Sequence, residues 1–151
     1  MQSVRWAHSL SIHSCPTAVQ AAPGVYVATA YHNGGLIPGV ATSNNVCQVS
    51  WGGATVTKHD FYLLENAGNA EFIWQAASSG QIPMGAVQGG YSENGEPLYV
   101  GRFRRGFKFI TGKVHPSHRV CYVPDGGREV SAANYEVLCL KTIPLVSLGL
   151  H

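Results

Sequence analysis

The sequence predicts an all-β fold of two tandem antiparallel units, packed on each other as a pseudo-twofold β-sandwich. Three observations predict it. The second half of the chain repeats the landmarks of the first half, the short apolar runs are rich in β-branched and aromatic residues, and no window sustains a helical period. Eighteen glycines and eight prolines, spread over 151 residues, supply the many turns that short strands need.

The internal repeat appears when the two halves are aligned. Trp6 matches Trp74, an offset of 68 residues, and Cys47 in VCQVSWGGATV matches Cys121 in VCYVPDGGREV, an offset of 74. The offset grows mainly where GYSENGE of the second copy is shortened to APG in the first. Length changes of this kind concentrate in exposed loops. We therefore divide one compact domain into a degenerate first repeat, residues 1–73, and a motif-complete second repeat with its C-terminal tail, residues 74–151.

The strands of each repeat follow from local composition. Two β-rich runs flank HNGG in the first repeat, and Asn-Gly is a strong hairpin turn. Two similar runs flank RRG in the second repeat, which predicts the equivalent hairpin. The segments VCYV and NYEVLCL are short, β-branched and aromatic, and are predicted as further strands. Neither repeat alone holds a comfortable core, so each is expected to bury one apolar face on the other.

Composition favours a folded chain in a reducing compartment. Hydrophobic residues make up 45% of the chain and charged residues 12%, which supports a real core and argues against disorder. No apolar run approaches the roughly 20 residues of a membrane helix. The start MQSVRWAHSL lacks a signal-peptide hydrophobic region, so we expect a cytoplasmic protein. We then expect free, buried thiols at Cys15, Cys47, Cys121 and Cys139.

The stretch GKVHPSHRVCYVPDGGREV raises the question of a metal or catalytic site. His115, His118 and Cys121 could supply three ligands at most, whereas a structural zinc site wants four. The first copy keeps only the cysteine, which favours a small core residue. A core cysteine lacks the base and the accessible setting of a nucleophile. We therefore predict no metal, no cofactor and no enzymatic activity, and interpret the Glu93/Glu96 pair as part of a solvated turn.

Lys113 marks the most pointed difference between the two copies, because its counterpart in the first repeat is Val40. One interpretation is a merely solvated surface. The other is a polar binding pocket kept in one copy, formed by loops that carry Lys113, Glu93, Asp125, Arg128 and Glu129. Sugar sites fit this chemistry, because they use charged donors, carboxylate acceptors and an aromatic ring against the apolar sugar face. The candidate rings are Trp51, Tyr91 and Tyr122.

Charge asymmetry supports an alternative function. With histidines neutral, residues 1–73 carry a net charge of −1 and residues 74–151 a net charge of +3. The basic cluster, defined as Arg102, Arg104, Arg105 and Lys108, could bind an anionic partner such as an acidic membrane surface or a nucleic acid. Alternate residues on a strand face opposite ways, so the cluster need not form one patch.

The second copy resembles the repeat known as DM-nine (DM9). The resemblance rests on IPMGAVQGGYSENGEPLYVGR, ITGKVHPSHRVCYVPDGGREV and NYEVLCL, and it extends in register over the first copy. It implies a tandem-repeat β fold, often dimeric, and a lectin-like role in invertebrate innate defence. The implied partners are a mannose-type glycan on a pathogen or cell surface and a second copy in a homodimer, with no nucleic acid. Vesicle association or release without a signal peptide is also implied.

The resemblance also assigns the predicted binding residues. Lys113 matches the lysine that holds the sugar in mannose-binding members, and Ser92 stands where those members have an aspartate, with Glu93 beside it. Together with Glu129, these residues form the predicted carbohydrate site. The first repeat has Val40 in place of the lysine and lacks the loop, so at most one site per chain is expected.

Overall fold

The computed structural model describes residues 4–9, 11–42 and 45–141. They form fourteen strands and two 3₁₀ turns, at Ile12–Ser14 and Pro116–His118, with no α-helix among the described residues. The strands are β1 Val4–Ser9, β2 Gln20–Ala22, β3 Val25–His32, β4 Gly35–Ala41, β5 Cys47–Trp51, β6 Ala54–Lys58, β7 Phe61–Asn66, β8 Phe72–Ser78, β9 Gln88–Tyr91, β10 Pro97–Arg105, β11 Lys108–His115, β12 Val120–Asp125, β13 Arg128–Ala132 and β14 Asn134–Leu140. The predicted all-β class is confirmed.

Both predicted hairpins are present. Strands β3 and β4 pair from Tyr26↔Ala41 to His32↔Gly35 around a turn in which Asn33 and Gly34 have φ of 47° and 82°. Positive φ at both central residues is the requirement of the tight hairpin turn that Asn-Gly favours. Strands β10 and β11 pair in the same way, from Tyr99↔Val114 to Arg105↔Lys108.

The strand pairings of the two halves correspond. In each half, the last strand lies between the first strand and the first strand of the hairpin. Strand β7 pairs with β1 and β3 in the first half, and β14 pairs with β8 and β10 in the second half. The β4–β5–β6 and β11–β12–β13 meanders also match. The boundary at residue 73 stays a prediction.

Hydrogen bonds join the two halves into one closed ring. Its eight strands run in the order β4, β5, β6, β13, β12, β11, β10, β9 and back to β4. The two joins between the halves are short, at Ala54↔Arg128 and at Leu36↔Tyr91. The predicted sandwich of two separate units is not established, because the sheet continues through both halves as a closed barrel.

Each half completes the core of the other. Leu98 of β10 is 1% exposed and packs in the cluster of Phe61 and Leu63 from the first half. Val25, which corresponds to Leu98 in the repeat, packs with Val40 against the cluster of the second half. Neither half would therefore bury its apolar surface alone, as the small size of each repeat predicts.

All four cysteines are unpaired and buried. Burial raises the pKa of Cys47 to about 12 and raises the pKa of Cys121 as well. Since the thiolate is the reactive form, neither thiol is suited to nucleophilic chemistry in the folded protein.

We expect four thiols to react with a colorimetric thiol reagent in denaturant and very little reaction in the native protein at pH 8. Burial limits both access and ionisation, so the native rate should follow unfolding. Absence of reactive thiols in unreduced, denatured protein would contradict this prediction and indicate two disulfides.

Candidate binding site

A cavity of about 360 Å³ lies between the β5–β6 turn of the first half and the strands and loops of the second half. The side chains around it include aliphatic, aromatic, hydroxyl and charged groups. Its lining residues are Ile37, Trp51, Gly52, Ser92, Glu93, Asn94, Glu96, Leu98, Lys113, His115, Ser117, His118, Tyr122 and Glu129. We call this cavity the main pocket. All four residues of the predicted site, Lys113, Ser92, Glu93 and Glu129, therefore line one cavity.

Lys113 places a buried ammonium group in the main pocket. The residue is 5% exposed, and its Nζ donates to the Ser50 carbonyl oxygen at 2.6 Å and lies 3.0 Å from Oε2 of Glu129. The Nζ also lies 5.3 Å from the centre of the Tyr122 ring, within cation–π range. A buried charge needs such partners, since desolvation otherwise disfavours it strongly.

Glu129 connects this charge to the other half of the chain. Its Oε1 accepts from the Gly53 backbone N–H at 3.0 Å, while its own N–H donates to the Gly53 carbonyl at 3.0 Å. The carboxylate is thus held from both sides, by the β5–β6 turn and by Lys113. The two groups form a fixed donor–acceptor pair at the boundary between the halves.

The structure corrects the predicted placement of these residues in loops. Lys113 lies inside β11 and Glu129 inside β13, and both are packed between neighbouring strands. Gly112 allows this position, because a Cβ there would collide with the Tyr122 carbonyl oxygen of β12. Asp125 and Arg128 also lie in strands, and neither lines the main pocket.

Ser92 opens the loop that forms one wall of the main pocket. Its hydroxyl accepts from the backbone N–H groups of Asn94 and Glu96, at 3.3 and 3.1 Å. Its backbone N–H donates to the Glu96 carbonyl at 2.8 Å. The serine therefore shapes its own loop, and Glu93 projects from that loop as an exposed residue.

The sequence interpretation missed a second polar group in the main pocket. Glu96, taken as a solvated turn residue, accepts through Oε1 from the Ser117 hydroxyl at 2.6 Å and through Oε2 from the Ser117 N–H at 2.8 Å. His115 Nδ1 lies 3.4 Å from Glu96 Oε1, and the His115 and His118 rings stack at 3.6 Å. The repeat could have pointed to this polar group, because the second copy has His115 where the first copy has Thr42.

Burial and charge set the ionisation of these groups. Burial alone would raise the pKa of Glu96, but the hydrogen bonds from Ser117 outweigh it and hold that pKa below its ordinary value. Burial lowers the pKa of His115, and the neighbouring His118 lowers it further. Burial raises the pKa of Tyr122, with the charge of Glu129 acting in the same direction. Near neutral pH, Glu96 is therefore ionised, whereas His115 and Tyr122 are uncharged.

Two of the three candidate rings line the main pocket. Trp51 packs edge-on against His32, with ring centres 5.3 Å apart, and the Tyr122 hydroxyl lies 2.9 Å from Nδ1 of His118. Tyr91 pairs with Leu36 in the strand ring and is not among the lining residues.

The structure also bears on a metal site and on a membrane-spanning helix, within the described residues 4–9, 11–42 and 45–141. Within these ranges, no three His, Cys, Asp or Glu side chains are arranged to hold a metal ion. We also find there no helix with the length and apolarity to span a bilayer. The absence of a cofactor stays a prediction.

The basic cluster does not form one free patch. Arg102 donates to Glu136 Oε1 at 2.8 Å and its guanidinium stacks against Trp74 and Phe109. Arg105 pairs with Asp125 at 2.9 Å. Only Arg104 and Lys108 of the cluster are exposed.

Comparison with known proteins identifies the family. The family model described as DM9 repeat matches residues 20–132, which is most of the chain. The chain belongs to the DM9 repeat family. It is 34% identical over 96 residues to Natterin-3 of Thalassophryne nattereri, a match that covers 63% of this chain but only 24% of Natterin-3. Its fold is similar to that of the nematode sperm cell motility protein MFP2B, with a TM-score of 0.69 and 17% identity, over 95% of this chain and 46% of that one.

The DM9 chain carries a second cavity, of about 270 Å³, at the position that corresponds to the main pocket in the repeat. Its apolar and glycine positions correspond to those of the main pocket, with Ile110 for Ile37, Gly126 for Gly52 and Val25 for Leu98. Its polar and aromatic positions differ. Val40 stands for Lys113, Gln48 for Tyr122, Thr42 for His115 and Asp125 for Trp51. We call it the counterpart cavity. Among the described residues that line it, none supplies a buried ammonium and none corresponds to the Ser92–Glu96 loop.

A double-mutant cycle should isolate the buried ion pair of this DM9 chain. We expect Lys113→Met and Glu129→Gln each to lower the free energy of unfolding by about 3–5 kcal/mol, because each leaves an uncompensated buried charge. The double substitution should cost less than the sum, since it removes both charges. Urea unfolding measures all four proteins.

The half-exposed pair Arg105–Asp125 is the matched control. Arg105→Met and Asp125→Asn should each cost about 1 kcal/mol or less, as expected for a solvated pair. Strictly additive costs at Lys113 and Glu129 would contradict a coupled buried pair.

Proposed function

We propose that the main pocket binds a neutral monosaccharide unit of a glycan, and that the protein acts as a lectin-like recognition protein without enzymatic activity. The observation that carries the proposal is the buried Lys113–Glu129 pair in a cavity with aromatic walls. An ammonium group has three N–H donors, and the Ser50 carbonyl and Glu129 take two of them. The third remains for a ligand.

The mixture of donors and acceptors suits a sugar. A sugar hydroxyl both donates and accepts, so its site needs both kinds of group. Lys113 supplies a charged donor, and the carboxylates of Glu129, Glu96 and Glu93 supply acceptors around the same cavity. The rings of Trp51 and Tyr122 offer apolar faces for the C–H side of the sugar.

The size of the main pocket supports a single sugar unit. Its volume of about 360 Å³ lies at the small end of the roughly 300–1,000 Å³ range of small-molecule sites. The paired charges neutralise each other locally, which favours an uncharged ligand over an ionic one.

The finer parts of the proposal come from the DM9 resemblance. We propose a mannose-type glycan on a pathogen or cell surface as the ligand, a homodimer as the assembly, and innate defence as the process. We also propose a cytoplasmic location with peripheral association to vesicles, and no cofactor. Binding of anionic partners through the basic cluster is less favoured, because Arg102 and Arg105 are already paired.

Isothermal titration with methyl α-mannoside should test the role of Lys113. Lys113→Met removes a hydrogen bond from a charged donor, worth about 1.5–3 kcal/mol, so affinity should fall at least about tenfold. Lys141→Met is the matched control, because Lys141 is exposed, lies outside the main pocket and should leave affinity unchanged. The Lys113→Met/Glu129→Gln protein, which carries no unpaired buried charge, should bind as weakly as Lys113→Met.

Equal affinities of wild type and Lys113→Met would place the sugar elsewhere. If the wild type binds no mannoside, a panel of other neutral monosaccharides separates the choice of sugar from carbohydrate binding as such. Failure of the whole panel would overturn the proposed function.

We expect Ser92→Asp to strengthen mannoside binding. One carboxylate oxygen can keep the backbone hydrogen bonds of the loop, as Asp often does in turns, and the other is then free to accept from a sugar hydroxyl. The same titration measures the gain, and circular dichroism checks that the fold is retained. Weaker binding with an intact fold would contradict the expected orientation of this side chain.

A further inference from the structure

The wall of the main pocket is joined to the 3₁₀ turn Pro116–His118 by one cluster of side chains. We propose that the stacked His115 and His118 make this junction an acid-opened latch, which holds the Ser92–Glu96 loop at neutral pH and frees it when both imidazoles are protonated. The consequence for ligand release rests on the proposed function. The opening of the latch does not.

The closed latch consists of three contacts. Both oxygens of Glu96 are bound by Ser117, through its hydroxyl at 2.6 Å and its N–H at 2.8 Å. Nδ1 of His115 lies 3.3 Å from the same hydroxyl. The loop and the 3₁₀ turn are thereby held together at the edge of the cavity.

The two imidazoles flank Ser117 in sequence and lie face to face. Their ring centres are 3.6 Å apart and their planes differ by 12°. His115 ends β11 and precedes the three-residue turn that carries His118, and Arg119 after that turn has a φ of 64°, a strained value for a residue other than glycine. His115 is half-buried and His118 is exposed. Ser117 directly precedes His118 in the 3₁₀ turn, so a backbone shift that moves His118 also moves Ser117.

The groups around the two rings can balance the charge of one imidazolium but not of two. Glu96 faces His115 from the β9–β10 loop and would balance a single imidazolium. The partner of His118 is the hydroxyl of Tyr122 from β12, which stays uncharged. Glu129 of β13 is already paired with Lys113 of β11, and the Lys113 charge repels an imidazolium at His115 more strongly than Glu129 attracts it.

Two protons therefore place two like charges on rings whose centres are about 3.6 Å apart, a separation at which they repel each other. The rings are expected to part and to pull Ser117 from Glu96. The wall of the main pocket then loses its anchor.

The direction of the pH effect follows from the burial of the cluster. The lowered pKa of His115 means that the closed form favours the neutral ring, so the latch is most stable above the ordinary value of 6.5 and weakens as pH falls below it. The pKa of Glu96 is lowered from 4.5, so this carboxylate stays ionised through the same interval. Opening is therefore expected between about pH 6.5 and 4.5.

Nuclear magnetic resonance of the ligand-free protein tests the latch directly. The Ser117 amide proton, bound to Glu96 in the closed form, should move upfield between pH 6.5 and 4.5, together with the imidazole signals of His115. Replacement of the exposed His59 by Asn is the matched control and should leave this transition unchanged.

Two variants decide the mechanism. His118→Phe keeps a ring beside His115 but takes no proton, so the Ser117 transition should disappear down to pH 4.5. His115→Asn/His118→Asn should also lack it, and serves where the phenylalanine variant does not fold. A Ser117 amide that stays in place in the wild type, or that moves at the same pH in these variants, would overturn the proposal.

The pH dependence of sugar binding provides a second, independent test of the latch. Affinity of the wild type for methyl α-mannoside should fall at least about tenfold between pH 7 and 4.8, and that of His118→Phe less than about threefold, since its latch stays closed. A tenfold loss in both proteins would overturn the latch as the cause. If the wild type binds neither methyl α-mannoside nor any sugar of the monosaccharide panel at pH 7, the proposed function fails, while the Ser117 amide still reports on the latch.

Discussion

The buried ammonium of Lys113 is the charge around which the main pocket is arranged. It needs the Ser50 carbonyl and the Glu129 carboxylate, and Glu129 in turn needs the Gly53 N–H. These contacts fix β11 and β13 against the β5–β6 turn of the other half. Buried ion pairs add little net stability compared with apolar packing. The counterpart cavity is built with Val40 at the equivalent position, so the fold itself does not require the charge.

The closed strand ring explains why the cavity lies at the boundary between the halves. Each half contributes one strand segment to the core of the other, with Leu98 and Val25 in corresponding places. Two short joins in the ring, at Ala54↔Arg128 and Leu36↔Tyr91, bring the β5–β6 turn and the β9–β10 loop beside the second-half strands. A ligand in the main pocket would therefore contact both halves of the chain.

The sequence predicted much of this arrangement, and its failures have physical causes. The hairpins at HNGG and RRG were predictable because turn chemistry is local. Lys113 emerged because it breaks the repeat, whereas Ser92 came from the DM9 resemblance. The closed ring was not predictable, since its joins between halves depend on single residue pairs with no pattern of their own. The buried position of Lys113 was missed because Gly-Lys is typical of a turn, whereas here Gly112 lets β11 and β12 approach closely. Glu96 was missed because its partner, Ser117, is set by tertiary contact alone.

The two cavities separate the demands of folding from those of recognition. They share a frame of glycine and aliphatic positions, since Gly52 and Gly126, and Ile37 and Ile110, occupy corresponding places. They differ in polarity: His32 packs on Trp51 in the main pocket, while the equivalent Arg105 pairs with Asp125 in the counterpart cavity. Each pairing satisfies its own side chains, so both cavities are compatible with the same backbone. The counterpart cavity shows that this framework of glycine and aliphatic residues forms without a buried charge. A ligand therefore explains the lysine, the acidic wall and the stacked histidines of the main pocket better than stability does.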